Sequence, residues 1–241
     1  MCGRYALSAT PEQMLLLFDL AAVTIDLVPR YNIAPTQLAP IVRLGTDGRR
    51  ELVLNRWGLI PRWAKESSIA AHTINARCET VAEKPVFRDA MRHRRCLVPA
   101  DGFFEWQRID SRTKQPYFIH RGDGLPICMA GLWESWRDPS GGEAVETFTI
   151  LTTRANGFIA KLHERMPVIV EPGRFESWLQ GGEIDEGSRS AIFEPAPDDL
   201  LTMHAVDPRV GSVANDDPTL VTPFARPPAT SPKFDQPSLF D

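Results

Sequence analysis

Apolar residues along this 241-residue chain alternate far more often than they recur at helical spacing, and the helical stretches are short. One clear helix signal lies near the start. Thr10 can cap, Pro11 suits a first turn and Gln13 completes a capping box, ahead of an apolar face of Met14, Leu15, Leu17 and Phe18. The proline-punctuated stretch from Pro29 to Pro40 predicts a loop. Strands are expected near 38–44 and 51–57, joined by a turn at Asp47-Gly48. A short helix is expected over 85–94, beginning at Pro85. Five further strands are predicted near 96–99, 103–108, 116–121, 127–133 and 147–153. Turn chemistry at Gly122-Asp123-Gly124 and Pro139-Ser140-Gly141-Gly142 separates them. Phe175 to Leu179 reads as helical and Leu201 to Val206 as a last strand. There is no repeat and no βαβ rhythm, which argues against a doubly wound parallel sheet. The expected class is α+β, a largely antiparallel, barrel-like mixed β core with peripheral helices, over residues 1–225. From about Pro227 the composition changes to Pro, Ala, Thr and Ser. Residues 226–241 read as a disordered tail that ends with Leu239 and Phe240, two apolar residues with no core to join.

The bulk numbers narrow the class without naming it. The chain is 43% hydrophobic and 24% charged, ordinary values for one globular domain. No apolar run is long enough to span a membrane, and no secretory signal opens the chain, so a cytoplasmic protein is expected. The four cysteines (Cys2, Cys78, Cys96, Cys128) are scattered without CxxC spacing. That argues against a zinc site and for free thiols, and no metal or organic cofactor is expected. A monomer is the default. The net charge of −4 does not advertise nucleic-acid binding, yet a local basic face matters more than the total. Arg56 and Arg62 flank Trp57 and Trp63, and Arg88, Arg92, Arg94 and Arg95 crowd one short stretch. That run is a solvated helix face or a phosphate groove.

Candidate chemistry begins at Cys2. If Met1 is trimmed, the chain starts with an α-amine and a thiol on one residue, with ordinary pKa values of roughly 7.7–8.0 and 8.5. Such a 1,2-aminothiol can condense with an aldehyde and close to a thiazolidine, which an internal cysteine cannot do. The bland alternative is a small buried residue in second place. Glu105 lies in the aromatic strand Phe103-Phe104-Glu105-Trp106. Alternation puts Phe104 and Trp106 on one side and Phe103 and Glu105 on the other. Glu105 is therefore either at a surface or in a pocket, where desolvation would suit it to acid/base work. His163 reads equally as a surface residue, Asn75 as a turn residue and Arg77 as an ion-pair partner of Glu79.

Read together, six stretches resemble the SOS response-associated peptidase (SRAP) family of abasic-site-processing proteins. They are Cys2-Gly3-Arg4, Tyr31-Asn32-Ile33-Ala34-Pro35, Trp57-Gly58-Leu59-Ile60-Pro61, the Asn75-Ala76-Arg77-Cys78-Glu79-Thr80 run, Asp101-Gly102-Phe103-Phe104-Glu105-Trp106, and His163-Glu164-Arg165-Met166-Pro167. The resemblance covers roughly residues 1–225. It implies covalent capture of abasic sites in single-stranded DNA, in which the Cys2 amine forms a Schiff base with the ring-opened sugar and the thiol closes a thiazolidine. It implies Cys2 as nucleophile, Glu105 as proton shuttle, His163 as acid/base at the sugar and Asn75 as the group that positions Cys2. It implies Arg77 and Arg4 as phosphate contacts and Trp63 and Trp106 as faces for bases. It further implies peptidase-like, single-turnover removal of Met1 and possible lyase-type Schiff-base chemistry. The segment Val210 to Pro218 departs from the family pattern, and no binding role is carried onto Ser212 or Asn215.

Gln236-Pro237-Ser238-Leu239-Phe240 resembles the pentapeptide that binds the bacterial sliding clamp, with Leu239 and Phe240 as apolar anchors and Gln236 as a polar contact. That resemblance implies recruitment to replication forks on the nucleoid. Two other classes stay open. A cysteine peptidase would pair its thiol with His163 and turn over peptides. A non-covalent single-stranded DNA binder would bind without Cys2.

Overall fold

The computed structural model describes residues 2–224, so the expected tail and its Gln236–Phe240 peptide lie outside the described residues. In chain order the strands and α-helices are β1 (Tyr5–Leu7), α1 (Pro11–Phe18), β2 (Arg30–Ile33), β3 (Leu38–Leu44), β4 (Arg50–Trp57), β5 (Asn75–Arg77), α2 (Arg88–His93), β6 (Arg95–Ala100), β7 (Gly102–Arg108), β8 (Lys114–Arg121), β9 (Ile127–Arg137), β10 (Ala144–Arg154), β11 (Arg165–Pro167), α3 (Phe175–Leu179), α4 (Glu186–Phe193) and β12 (Leu201–Ala205). Strands β10, β4, β3, β6 and β9 follow one another, and β9 pairs back onto β10, closing a five-stranded barrel. The β10–β4 pairing is parallel and the rest of the ring antiparallel. A second sheet, β12-β8-β7-β1-β2, is antiparallel throughout. The α+β, barrel-like expectation holds.

The barrel closes where β9 serves two partners. Gly131 sits opposite Cys96 on one side and Ile150 on the other. A Cβ there would come within 2.8 Å of Cys96 Sγ and 2.9 Å of Val98 Cγ2, so only glycine fits without displacement. The main core packs Trp57, Phe103, Phe148 and Trp178, all fully buried. A smaller cluster of Ala6, Phe104, Phe118, Val206, Val210 and Leu220 fills the other face of the second sheet.

Helix α1 forms as its sequence predicts. Thr10 Oγ1 accepts from the Gln13 N–H at 3.3 Å, and Gln13 Oε1 accepts from the Thr10 N–H at 2.8 Å. Helix α2 begins at Arg88 rather than Pro85, because hydrogen-bonded turns carry residues 80–87. The expected Pro29–Pro40 loop contains β2, which pairs with β1 at Tyr5–Ile33 and Leu7–Arg30.

Candidate active site around Cys2

The chain register delivers the first pair of groups. Tyr5 lies opposite Phe103 and Ala6 opposite Gly102 in the antiparallel β1–β7 ladder. The Phe104 N–H donates to the Arg4 carbonyl at 2.9 Å, extending the ladder by one pair. Glu105 follows Phe104 directly, and it lies close enough to Cys2 for its charge to act on the thiol. Glu105 is buried, with 5% of its surface exposed, which decides between the two positions its sequence allowed. The predicted alternation is present. Phe103 belongs to the main core, while Phe104 and Trp106 pack in the smaller cluster.

Cys2 itself is fully buried. Burial pushes its thiol up to about 12, and the charge of Glu105 adds to the rise. The Cys2 carbonyl is held by Asn75, whose Nδ2 donates to it at 2.8 Å. Asn75 is not in a turn. It opens β5, which runs parallel to β10 with Asn75 beside Ile150 and Arg77 beside Thr152.

His163 stands just before β11, which lies on the opposite edge of β10 from β5, since Thr152 has Arg77 on one side and Pro167 on the other. Its Nδ1 lies 2.9 Å from the Arg165 amide nitrogen and 3.2 Å from the Arg165 carbonyl oxygen. A hydrogen bond joins Asn75 to Cys2, charge couples Glu105 to the same residue, and His163 is tied to Arg165. Arg165 also takes Glu79 in a two-pronged pair at 2.6 and 2.8 Å and donates to the Thr152 carbonyl at 2.6 Å. Glu79 therefore pairs with Arg165 rather than with Arg77, and that hydrogen bond holds its carboxyl below the ordinary range. Arg77 is exposed, two residues from Asn75.

Arg4 is half-buried. Its Nη1 donates to Asn32 Oδ1 at 2.6 Å and to the Val210 carbonyl at 2.8 Å, and its guanidinium stands 6.0 Å from the Trp106 ring centroid. Trp106 is half-buried, whereas Trp63 is 60% exposed beside exposed Arg62. Among the described residues no group of three or more His, Cys, Asp or Glu converges as a metal site would require.

The family model for SOS response associated peptidase (SRAP) matches residues 1–213. The chain belongs to the SRAP family. Among its relatives, abasic site processing protein YoqW of Bacillus subtilis is 36% identical over 224 residues, 92% of this chain and 99% of that one. Abasic site processing protein YedK of Escherichia coli is 34% identical, over 92% and 100%. The chicken protein HMCES, of the same description, is 32% identical over 81% of this chain and 66% of its own. A solved structure from Bacteroides thetaiotaomicron superposes with a TM-score of 0.83 at 27% identity, over 93% of this chain and all of that one.

This SRAP chain also carries a latch that sequence reading missed. Asn32 is fully buried, and its Nδ2 donates to the carbonyls of Val210, Ser212 and Asn215 at 3.2, 3.0 and 2.7 Å. Asp216 accepts from the Tyr31 N–H at 2.5 Å and pairs with Arg30. Segment 210–216 is thereby tied to β2 and, through Arg4, to the N-terminal strand. The available signal was a polar Asn inside Tyr31-Asn32-Ile33, a stretch that the flanking prolines disguise as a loop.

Proposed function

We propose that this SRAP protein processes abasic sites in single-stranded DNA by forming a covalent thiazolidine crosslink through Cys2 after Met1 is removed. The observation that carries this reading is the clamp on Cys2, with Asn75 on its carbonyl and the charge of buried Glu105 acting on its thiol. The Cys2 amine attacks C1′ of the ring-opened sugar, and loss of water gives an imine. The thiol then adds to the imine carbon, and its proton passes to the imine nitrogen. A thiol near 12 needs a base for that step, and Glu105 is the carboxylate beside it. His163 acts as acid/base at the sugar and assists reversal. Arg77 and the outer edge of Arg4 take phosphates flanking the lesion, and Trp63 and Trp106 stack bases. The same Cys2, Asn75, Glu105 and His163 serve single-turnover removal of Met1, a peptidase-like step for which a host aminopeptidase is the alternative agent. Schiff-base lyase cleavage is the side reaction that ring closure suppresses. The Gln236–Phe240 peptide would dock the protein on the sliding clamp and so place it at replication forks.

The cysteine-peptidase reading is the weaker one, because a thiol held in its neutral form is the opposite of an activated thiolate. The test is a denaturing gel of the protein with an abasic single strand, Cys2→Ala run alongside and the mass confirming loss of Met1. A heat-stable shifted band from the native protein alone supports the proposal. A band that Cys2→Ala also gives would overturn it.

A further inference from the structure

The arginine run at residues 88–95 divides into two pairs. Arg94 is paired with Asp89 and Glu134. Arg95 is buried and donates to the carbonyls of Met91, Trp178, Gln180 and Gly182, so its donors cap the ends of α2 and α3. Both belong to the fold. Arg88 and Arg92 are exposed and line a cavity of about 610 Å³, with Arg189 of α4 and Arg95 in its walls.

Charge in that cavity does not balance. Four arginines face two acids, Asp89 and Glu183. Asp89 is taken by Arg94, and Glu183 meets Arg92 at 3.2 Å with both side chains mostly in solvent, where such a pair is weak. Among the described residues no ion pair engages Arg88 or Arg189. The cavity is also close to the candidate DNA path. From Arg77 to Arg88 the chain runs in hydrogen-bonded turns, Thr80 to Arg77, Lys84 to Thr80 and Arg88 to Lys84. At about 1.5–2.0 Å per residue that segment spans no more than roughly 22 Å. Arg62, next to exposed Trp63, lies near the same rim. Asp89 is held down first by the hydrogen bond from Arg94 and further by the charges of Arg94, His93 and Arg62.

We propose that this arginine cavity is a second DNA contact, which takes backbone phosphates of the damaged strand beyond those that flank the reacting sugar. The proposal rests on the abasic-DNA reading above. Arg88 and Arg189 supply the uncompensated charge, Arg92 adds to it once phosphate displaces Glu183, and Arg95 is the rigid back wall. The contact reads no sequence and fixes the register of the strand.

The test uses the full chain and single strands bearing a tetrahydrofuran site, which has no aldehyde and so reports binding alone. One strand has about 25 nucleotides and the other about 5, centred on the lesion. Each lost phosphate contact costs about 4-fold in affinity near 0.15 M salt and about 0.7 in the salt slope. Arg88→Ala with Arg189→Ala should therefore weaken the long strand about 14-fold for two contacts and leave the short one unchanged. Arg88→Lys with Arg189→Lys should restore most of the loss, because charge rather than shape is used. An unchanged long strand, or an equal loss on both lengths, overturns the proposal. Loss of binding to polyglutamate with DNA binding intact overturns it too and assigns the cavity to an acidic protein. Failure of the unaltered protein to bind either strand overturns the abasic-DNA reading itself.

Discussion

Replacing Asn75 by Ala removes the donor that holds the Cys2 carbonyl at 2.8 Å. A neutral hydrogen bond of this kind contributes about 1 kcal/mol, and a buried carbonyl left without it costs about 1–3 kcal/mol. The folded protein can relax around that carbonyl when free, but the reacting complex needs Cys2 in one place. A loss of about 1.5–3 kcal/mol in the reacting complex corresponds to about 12–160-fold in the rate of crosslinking. Asn75→Asp is the sharper perturbation. It keeps the shape and sets a carboxylate against a carbonyl oxygen, so its loss should be at least as large. The assay is single-turnover crosslinking at saturating protein, sampled over time on denaturing gels, with thermal melts of each variant. The expected result is a slow rate from a protein that melts within a few degrees of the original. A rate for Asn75→Ala within about twofold of the original would refute the claim that this bond positions the nucleophile.

Glu105→Gln should act on the thiol in two ways. Alkylation of Cys2 at pH 8, followed by peptide mass, should speed up because the charge that raises the thiol is gone, while ring closure slows for want of a base. The Glu79–Arg165 pair should show in acid. The Glu79 carboxyl is depressed below its ordinary 4.5, so its contribution is present above that value and lost as pH falls through the folded one. The gap in melting temperature between the native protein and Arg165→Met should therefore be widest near pH 7 and narrow in thermal melts below pH 4. Gly131→Ala should cost about 1–3 kcal/mol by overpacking the barrel seam, lowering the melt by about 3–10 °C in calorimetry. Deleting residues 236–240 should abolish capture by immobilised sliding clamp and leave the crosslinking rate unchanged.

The long elements were legible because their signals are local. Thr10 and Gln13 carry both halves of the α1 capping box, and the alternation around Phe103–Trp106 announces β7 and the sides its residues face. The short strands were not. β1, β5 and β11 have three residues each, too few for a period, and exist because β7 and β10 offer open edges. β2 was hidden by prolines placed just outside it at Pro29 and Pro35. At the site, residue types pointed to Cys2, Asn75 and Glu105, but the contact between Asn75 and Cys2 spans 73 positions and depends on β10. The Arg165–Glu79 pair spans 86 positions, whereas proximity in sequence offers Arg77 as the partner of Glu79. Asn32 gives no local sign of its role, since its partners lie some 180 residues away.

The central claim is tested most directly by the mass of the adduct formed with an abasic single strand, recorded with and without borohydride. Thiazolidine closure predicts a product equal to protein lacking Met1 plus DNA minus one water. That product should form without reductant, be unchanged by it and map to the Cys2 peptide. An adduct that survives only after borohydride reduction, or that maps to a lysine, would contradict the account.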